Sequence, residues 1–373
     1  MRPAKSGIEF MTTQLNFFGE FNNTGVGRHM ENAFFATLRQ GTPGLLLDYV
    51  NQTREDAMRR AFERTVGPSE IAIYFWRHPE KLLAKLRAFR VFWWFFESDR
   101  LADRWLQEIR VFDEIWAPSR WARDVITAHG VADARVRVVP SGVNTGIYFP
   151  QPVAHENFVF LLVGKYEKRK SIDETVEAFR QEFGRKEYPD VQLWLKADFP
   201  MFPDRIRKLQ DRVADDDRIR ILSGNFSDMQ MAEIYRQADA FVFPTKAEGF
   251  GLPCLEAISC GLPVITTEVS AQSEFLAPIR GLYAPVDYRM EPIVDEDYTW
   301  FYGREYGNSN FGNWAIPSME SLRKAMRGVY EDLPAWREKA ARAAAIIHRE
   351  FAWDAIGRQV AQAAMAISHR AAS

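Results

Sequence analysis

Phe158-Val159-Phe160-Leu161-Leu162-Val163 is six apolar residues without a polar break. A strand with no alternation is buried on both faces, an environment found mainly in parallel sheets covered by helices. Parallel strands need crossovers, so the flanking sequence should alternate helix and strand. It does. Ser171–Phe183, Arg205–Val213, Met229–Ala238 and the short Pro253–Cys260 read as helices, while Val191–Leu195, Ile219–Leu222, Ala240–Phe243 and Val264–Thr267 read as strands.

The same rhythm runs through the preceding residues. Leu15–Phe18, Leu45–Leu47, Ile71–Phe75, the aromatic run Arg90–Phe96, Glu114–Ala117 and Val136–Val139 are expected strands. Arg28–Leu38, Glu80–Arg90, Leu101–Val111 and Arg120–His129 are expected helices, the last capped by Ser119. Phe149–Asn157, with Pro150 and Pro152 and no period, reads as a linker. The expected architecture is therefore α/β: two facing doubly wound parallel-sheet domains, residues 1–150 and 151–350, followed by a terminal helix in 351–373. Helices near Met319–Tyr330 and Ala335–Ala345 precede one starting at Trp353, and Glu291–Trp314, irregular and aromatic, takes no assignment.

Composition narrows the function. Among 373 residues, 48 Lys and Arg face 50 Asp and Glu, a formal charge of −2 that argues against a dedicated nucleic-acid binder. The two cysteines, Cys254 and Cys260, share one apolar segment and cannot by themselves make a disulfide framework or a four-ligand zinc site. No stretch approaches the ~20 apolar residues that span a bilayer, and Met1-Arg2-Pro3-Ala4-Lys5 lacks the apolar run of a secretory leader. A cytoplasmic enzyme is expected. Glu80–Arg90 sets Lys81, Lys85, Arg87 and Arg90 beside Leu82, Leu83, Leu86 and Phe89, so peripheral contact with the inner face of an anionic membrane is a second reading of an otherwise ordinary amphipathic helix.

In an open parallel sheet, ligands sit beyond the carboxyl ends of the strands. After the strand Ala240–Phe243 comes Pro244-Thr245-Lys246-Ala247-Glu248-Gly249-Phe250-Gly251-Leu252-Pro253-Cys254-Leu255-Glu256-Ala257. Gly249 and Gly251 let backbone approach a ligand, Pro253 suits a first helical turn, and the helix start offers free N–H groups to an anion. Glu248 and Glu256 flank that start, and carboxylates accept hydrogen bonds from sugar hydroxyls. After Phe158–Val163 comes Gly164-Lys165-Tyr166-Glu167-Lys168-Arg169-Lys170, a cation-rich turn before a helix. Preorganised cations stabilise a leaving group whose negative charge grows. The bland readings are carboxylates on a structural loop and a solvated basic turn, the latter fitting Lys168 and Arg169.

Glu-Gly-Phe-Gly-Leu-Pro-Cys-Leu-Glu-Ala over 248–257, followed by Cys260-Gly261-Leu262-Pro263-Val264, closely resembles the signature of the retaining glycosyltransferases of family four, the nucleotide-sugar-dependent glycosyl transferase group 1 with the GT-B fold. The run Gly224-Asn225-Phe226-Ser227-Asp228 through Asp239-Ala240 resembles the same family, so the likeness covers about 158–276 well and the first half loosely. The resemblance implies a GT-B fold whose last helix, from Phe351-Ala352-Trp353, crosses back to the first domain. It implies a hexosyl transfer, with retention and without a metal or cofactor, from a UDP- or GDP-linked sugar to a glycan, lipid-linked or small-molecule acceptor. Glu248 would hold the donor hexose and Glu256 the ribose, while Gly249, Phe250, Gly251 and Leu252 line the donor. Lys165 and Lys170 would grip the diphosphate, Lys165 standing where the family has Arg and so lacking the bidentate fork.

Three features stand beside this. Thr24-Gly25-Val26-Gly27-Arg28 is expected to close over donor and acceptor through Gly25 and Gly27; a dinucleotide fold would want a third glycine where Met30 stands, although Asp48 mimics its ribose acid. Phe92-Trp93-Trp94-Phe95-Phe96-Glu97-Ser98-Asp99 ends with Glu97 where family members carry a His, making Glu97 and Asp99 acceptor-side candidates; His78 reads as a core or capping residue. Asp215-Asp216-Asp217 resembles a metal motif but falls at the amino end of a strand, the wrong edge for a ligand, and reads as a solvated turn. The rival functions are a nucleotide-sugar 2-epimerase, which would act on donor alone, and a nucleotide-sugar-binding protein without turnover.

Overall fold

The computed structural model describes residues 14–19, 25–48, 70–75, 88–151, 153, 156–197, 203–306 and 310–372. They form two compact units, one within 1–94, 111–116 and 354–373 and the other within 95–110 and 117–353.

In the first unit, β1 (Leu15–Gly19), α1 (Gly25–Arg39), β2 (Gly44–Asp48), β3 (Ile71–Phe75) and β4 (Phe89–Trp93) are followed, after α2 (Asp103–Glu108) of the second unit, by most of β5 (Glu114–Ala117). The strands lie parallel in the order β2-β1-β3-β4-β5. Phe17, Phe18, Tyr74, Phe75, Trp93 and Trp116 are fully buried, so these strands read as aromatic because both faces are covered. Phe89 and Arg90, expected to end a basic helix, instead open β4, where Phe89 N donates to Glu70 O. The expected strand Arg90–Phe96 stops at Trp93, and from Phe95 the chain counts with the second unit. Thr24, His78 and residues 80–87 of the basic helix lie outside the described residues.

The second unit continues with α3 (Arg120–Ala128), β6 (Val136–Val138), β7 (Phe158–Val163), α4 (Ile172–Glu182), β8 (Val191–Lys196), α5 (Pro203–Val213), β9 (Ile219–Ile221), α6 (Asp228–Arg236), β10 (Ala240–Phe243), α7 (Leu252–Ser259), β11 (Val264–Thr266), α8 (Ser273–Leu276) and β12 (Ala284–Pro285). Then come β13 (Tyr288–Pro292), α9 (Glu296–Tyr306), β14 (Asn313–Pro317), α10 (Met319–Glu331), α11 (Leu333–Glu350) and α12 (Trp353–Ala372). Its parallel sheet runs β12-β11-β10-β7-β8-β9. From β7 the chain builds outward through β8 to β9, and from β10 it builds the other way through β11 to β12. Strand order reverses between β7 and β10. That reversal opens a crevice at their carboxyl ends, where ligands of such sheets bind.

Local signals behave as their chemistry requires. Ser119 Oγ accepts Ala122 N at 3.0 Å, and Ser227 with Gln230 forms a complete capping box at α6. The aspartate run precedes β9 as expected, yet it is not simply solvated: Asp216 is buried and holds buried Arg218 through two hydrogen bonds of 2.9 and 2.8 Å. Residues 354–372 of α12 return to the first unit. There Gly357 lets α12 and α1 meet backbone to backbone, since a Cβ would lie 2.6 Å from Ala36 O.

The segment without an assignment, 291–314, is a hairpin interrupted by a helix: β13 pairs antiparallel with β14, from Tyr288 opposite Pro317 to Pro292 opposite Asn313, with α9 between them. Ile293, Tyr298, Phe311 and Trp314 pack with Ala247 in a small apolar cluster.

Candidate functional site

At the reversal point the turn after β7 meets the loop after β10. Lys170 Nζ lies 2.6 Å from Glu248 Oε1, and Arg169 Nη1 lies 3.1 Å from the same oxygen. Thr245 Oγ1 donates to that oxygen at 2.7 Å, and Glu248 N donates to Ser270 Oγ at 2.7 Å. Arg169 Nη1 also donates to Ala247 O at 2.6 Å, while its Nη2 lies 3.2 Å from Glu167 Oε2 and 3.6 Å from Glu97 Oε1. The backbone repeats the join: Lys246 N donates to Arg169 O at 2.8 Å, and Thr245 Oγ1 lies 3.2 Å from the same carbonyl.

This is a row of alternating charge, buried at Lys170 and Glu248 and partly buried at Arg169, Glu167 and Glu97. Burial alone would raise the Glu248 carboxyl, but Lys170 and Arg169 outweigh it and hold the group below the ordinary carboxylate range. Two cations share one carboxylate, so burial prevails at Lys170 and pushes it down against the pull of Glu248. Arg169, despite burial, is held above its usual range by Glu248, Glu97 and Glu167, and burial raises Glu97.

Two strained residues frame the cluster. Ser171 (φ 53°) and Ser270 (φ 51°) are the positive-φ residues other than glycine among those described, a conformation costing roughly 1–2 kcal/mol per residue. One follows Lys170 and the other supplies the hydroxyl on Glu248 N. Strain held at two points around one cluster is characteristic of a built site.

The other expected residues sit as follows. Gly251 caps α7 with φ 93°, which requires glycine, and Pro253 lies in the first turn. Leu252 opens the helix, and Glu256, one turn on and half-buried, accepts from Tyr235 OH at 3.0 Å. Phe250 is buried edge-on against Phe275 at 5.4 Å, a packing residue in this state. Gly249 brings its backbone against 95–97, since a Cβ would lie 3.3 Å from Phe95 Cβ. Lys165 is exposed in the turn after β7. Asp99 accepts from Asn313 N at 2.6 Å and Asn313 Nδ2 at 2.9 Å, and Trp314 Nε1 donates to Glu97 O at 2.9 Å, so the hairpin braces both acidic candidates. Gly25 and Gly27 open α1 in the first unit. No group of three metal-ligating side chains occurs among the described residues.

Arg169 is not the exposed cation that its sequence suggests. By composition it belongs with Lys168 in a solvated basic turn, but its side chain is 12% exposed against 61% for Lys168. Its inward direction follows from the single 3-10 turn Lys168–Lys170, which no periodicity announces.

Residues 157–289 match the family model described as glycosyl transferases group 1. The D-inositol 3-phosphate glycosyltransferase of Acidothermus cellulolyticus is 27% identical over 169 residues, covering 40% of this chain and 36% of that relative. The match thus spans about a third of the curated relative's length. The sucrose-phosphate synthase of Thermosynechococcus elongatus superposes with a TM-score of 0.69 at 17% identity, over 97% of this chain and 100% of that one. The Anabaena protein HepE, solved with UDP and glucose, gives 0.64 at 15%, over 94% and 99%. These likenesses establish the GT-B fold expected from the sequence.

Proposed function

We propose, from a GT-B chain whose residues 157–289 match the family model of glycosyl transferases group 1, that this protein moves a hexosyl group from a nucleotide-diphosphate sugar to an acceptor hydroxyl, with retention of configuration. The observation that carries this reading is the meeting of Lys170, Arg169 and Glu248 at the strand-order reversal, with Glu248 four residues before α7 starts at Leu252. Cations and a helix start suit a diphosphate; a carboxylate between them suits sugar hydroxyls.

In the proposed reaction the bond from the sugar's anomeric carbon to the diphosphate oxygen breaks, and its electron pair leaves with the diphosphate. Lys170, with Lys165 and the residues Gly249–Leu252, receives that charge. Glu248 orients the hexose and Glu256 the ribose. The acceptor oxygen bonds to the same face of the anomeric carbon, and its proton passes to a phosphate oxygen. Retention in hydrolases uses a carboxylate nucleophile ~5–5.5 Å from its partner; here the departing phosphate serves as base, and the lysines do the work a metal does elsewhere. Glu97 and Asp99 are the acceptor-side candidates, Asp99 with its carboxylate already engaged by Asn313. We place the activity in polysaccharide or glycoconjugate synthesis in the cytoplasm, with peripheral membrane contact through Lys81, Lys85 and Arg87; sedimentation with anionic vesicles at low and high salt tests that contact.

HepE was solved with UDP and glucose, so UDP-glucose is the first donor to try, with GDP-mannose as the alternative base and sugar. Calorimetric titration of each, followed by detection of transferred or hydrolysed sugar, is the test. Saturable binding with turnover that depends on an acceptor supports transfer. Conversion of donor alone to an epimer would replace it with the epimerase reading.

A further inference from the structure

Buried Lys170 and half-buried Arg169 share one oxygen of the buried Glu248 carboxylate, and the proposed reaction needs only one of those cations. When a diphosphate arrives it competes with Glu248 for Lys170. If Lys170 were the sole partner of Glu248, its departure would leave a buried, uncompensated carboxylate, which is strongly unfavourable and would hold the lysine in place.

Building on the reading above, we propose that Arg169 is a positioning residue that keeps Glu248 ionised and aimed while Lys170 changes partner from Glu248 to the donor diphosphate. The geometry is suited to that and to little else. Arg169 does not need the ligand, because Nη1 is satisfied by Ala247 O at 2.6 Å and Glu248 Oε1 at 3.1 Å, and Nη2 by Glu167 at 3.2 Å with Glu97 at 3.6 Å. Its carbonyl holds the other end of the same loop through Lys246 N. Side chain and backbone of one residue thus fix the loop 245–248 at both ends. Lys170, by contrast, has a flexible stem lying along Gly164, where a Cβ would come within 3.2 Å of its Cγ and Cδ, and its ammonium is 5.1 Å from the Phe243 ring centroid. One cation is fixed by its fork and the other has a single carboxylate to leave.

The test uses the full chain with UDP-glucose and GDP-mannose. Wild type that binds neither overturns the glycosyltransferase reading and this inference with it. With a donor bound, nucleotide release as the sugar passes to an added acceptor or to water is followed in wild type, Arg169→Ala and Arg169→Lys. Arg169→Ala is expected to lower kcat by about 100-fold, the size seen when one preorganised charge is lost. KM should stay within about threefold, because the binding contacts to ribose and base are untouched. Guanidinium added to Arg169→Ala should restore turnover in proportion to its concentration, which repair of a damaged fold would not do. Arg169→Lys keeps the charge but not the fork and should lose about 10-fold in kcat. A folded Arg169→Ala with wild-type kcat, or one that guanidinium does not rescue, overturns the proposal. Should Arg169→Ala fail to fold, wild-type kcat in Arg169→Lys overturns it and reduced kcat at unchanged KM supports it.

Discussion

His29 and Glu248 are both sealed from solvent, 2% and 5% exposed, and burial has opposite consequences for them. His29 lies on α1 in the first unit, with its ring edge-on to Trp93 at 4.4 Å and to Phe75 at 5.2 Å. Burial pushes its pKa down to about 3, so at neutral pH it is an uncharged member of an aromatic core. Glu248 has cations on the same oxygen and stays charged. The difference lies in what the fold brings to each position. Beside His29 it supplies rings; at the β7–β10 reversal it supplies two loops that each carry charge. Burying a titratable group is therefore no mark of a site; Glu248 differs in being held ionised at the strand ends where ligands of such sheets bind.

That contrast can be broken or sharpened by substitution. The largest expected effect is at Lys170: Lys170→Ala should lower nucleotide release by about 1000-fold if the ammonium meets the leaving diphosphate. Full turnover in that variant, measured as initial rate, would erase the distinction. Glu256→Ala should act on affinity, weakening donor binding by about 10- to 100-fold in calorimetry, the worth of hydrogen bonds to a charged group, beside a loss of about 1–3 kcal/mol of stability from the Tyr235 hydroxyl left without its acceptor. An unchanged Kd would remove Glu256 from the ribose.

The smallest effect belongs to His29 and depends on pH. Its folded pKa is depressed, so below the unfolded value near 6.5 the unfolded chain binds a proton that the folded chain refuses. Stability should fall as pH drops through that window, by about 2 kcal/mol at pH 5 from this group alone. Melting His29→Phe at pH 7 and pH 5 should show a flatter response than wild type, with donor affinity unaltered at pH 7. An acid response as steep as the wild type's would mean that His29 is not the neutral core group described.

The parallel strands were readable because apolar runs such as Phe158–Val163 and Ala240–Phe243 need cover on both faces, and those strands begin and end where expected; their order in the sheet was not. Glu248 and Lys170 were readable because glycines, proline and charges cluster where such sheets bind ligands. Arg169 was not: Lys168, Arg169 and Lys170 are equivalent by composition, and their directions are set by a one-turn helix ending in Ser171 at φ 53°. The hairpin 288–317 was not readable either. Its strand Tyr288–Pro292 is half-buried to exposed and its aromatic residues come together only through antiparallel pairing across α9. Local sequence carries period; it does not carry which of three neighbouring cations turns inward.

The most direct measurement is the structure of the full chain with UDP bound. The expected result is a diphosphate at the start of α7 within hydrogen-bond distance of Lys170 Nζ, with that ammonium drawn off Glu248 and Arg169 still on it. A nucleotide seated away from the β7–β10 crevice, with Lys170 left on Glu248, would contradict the account.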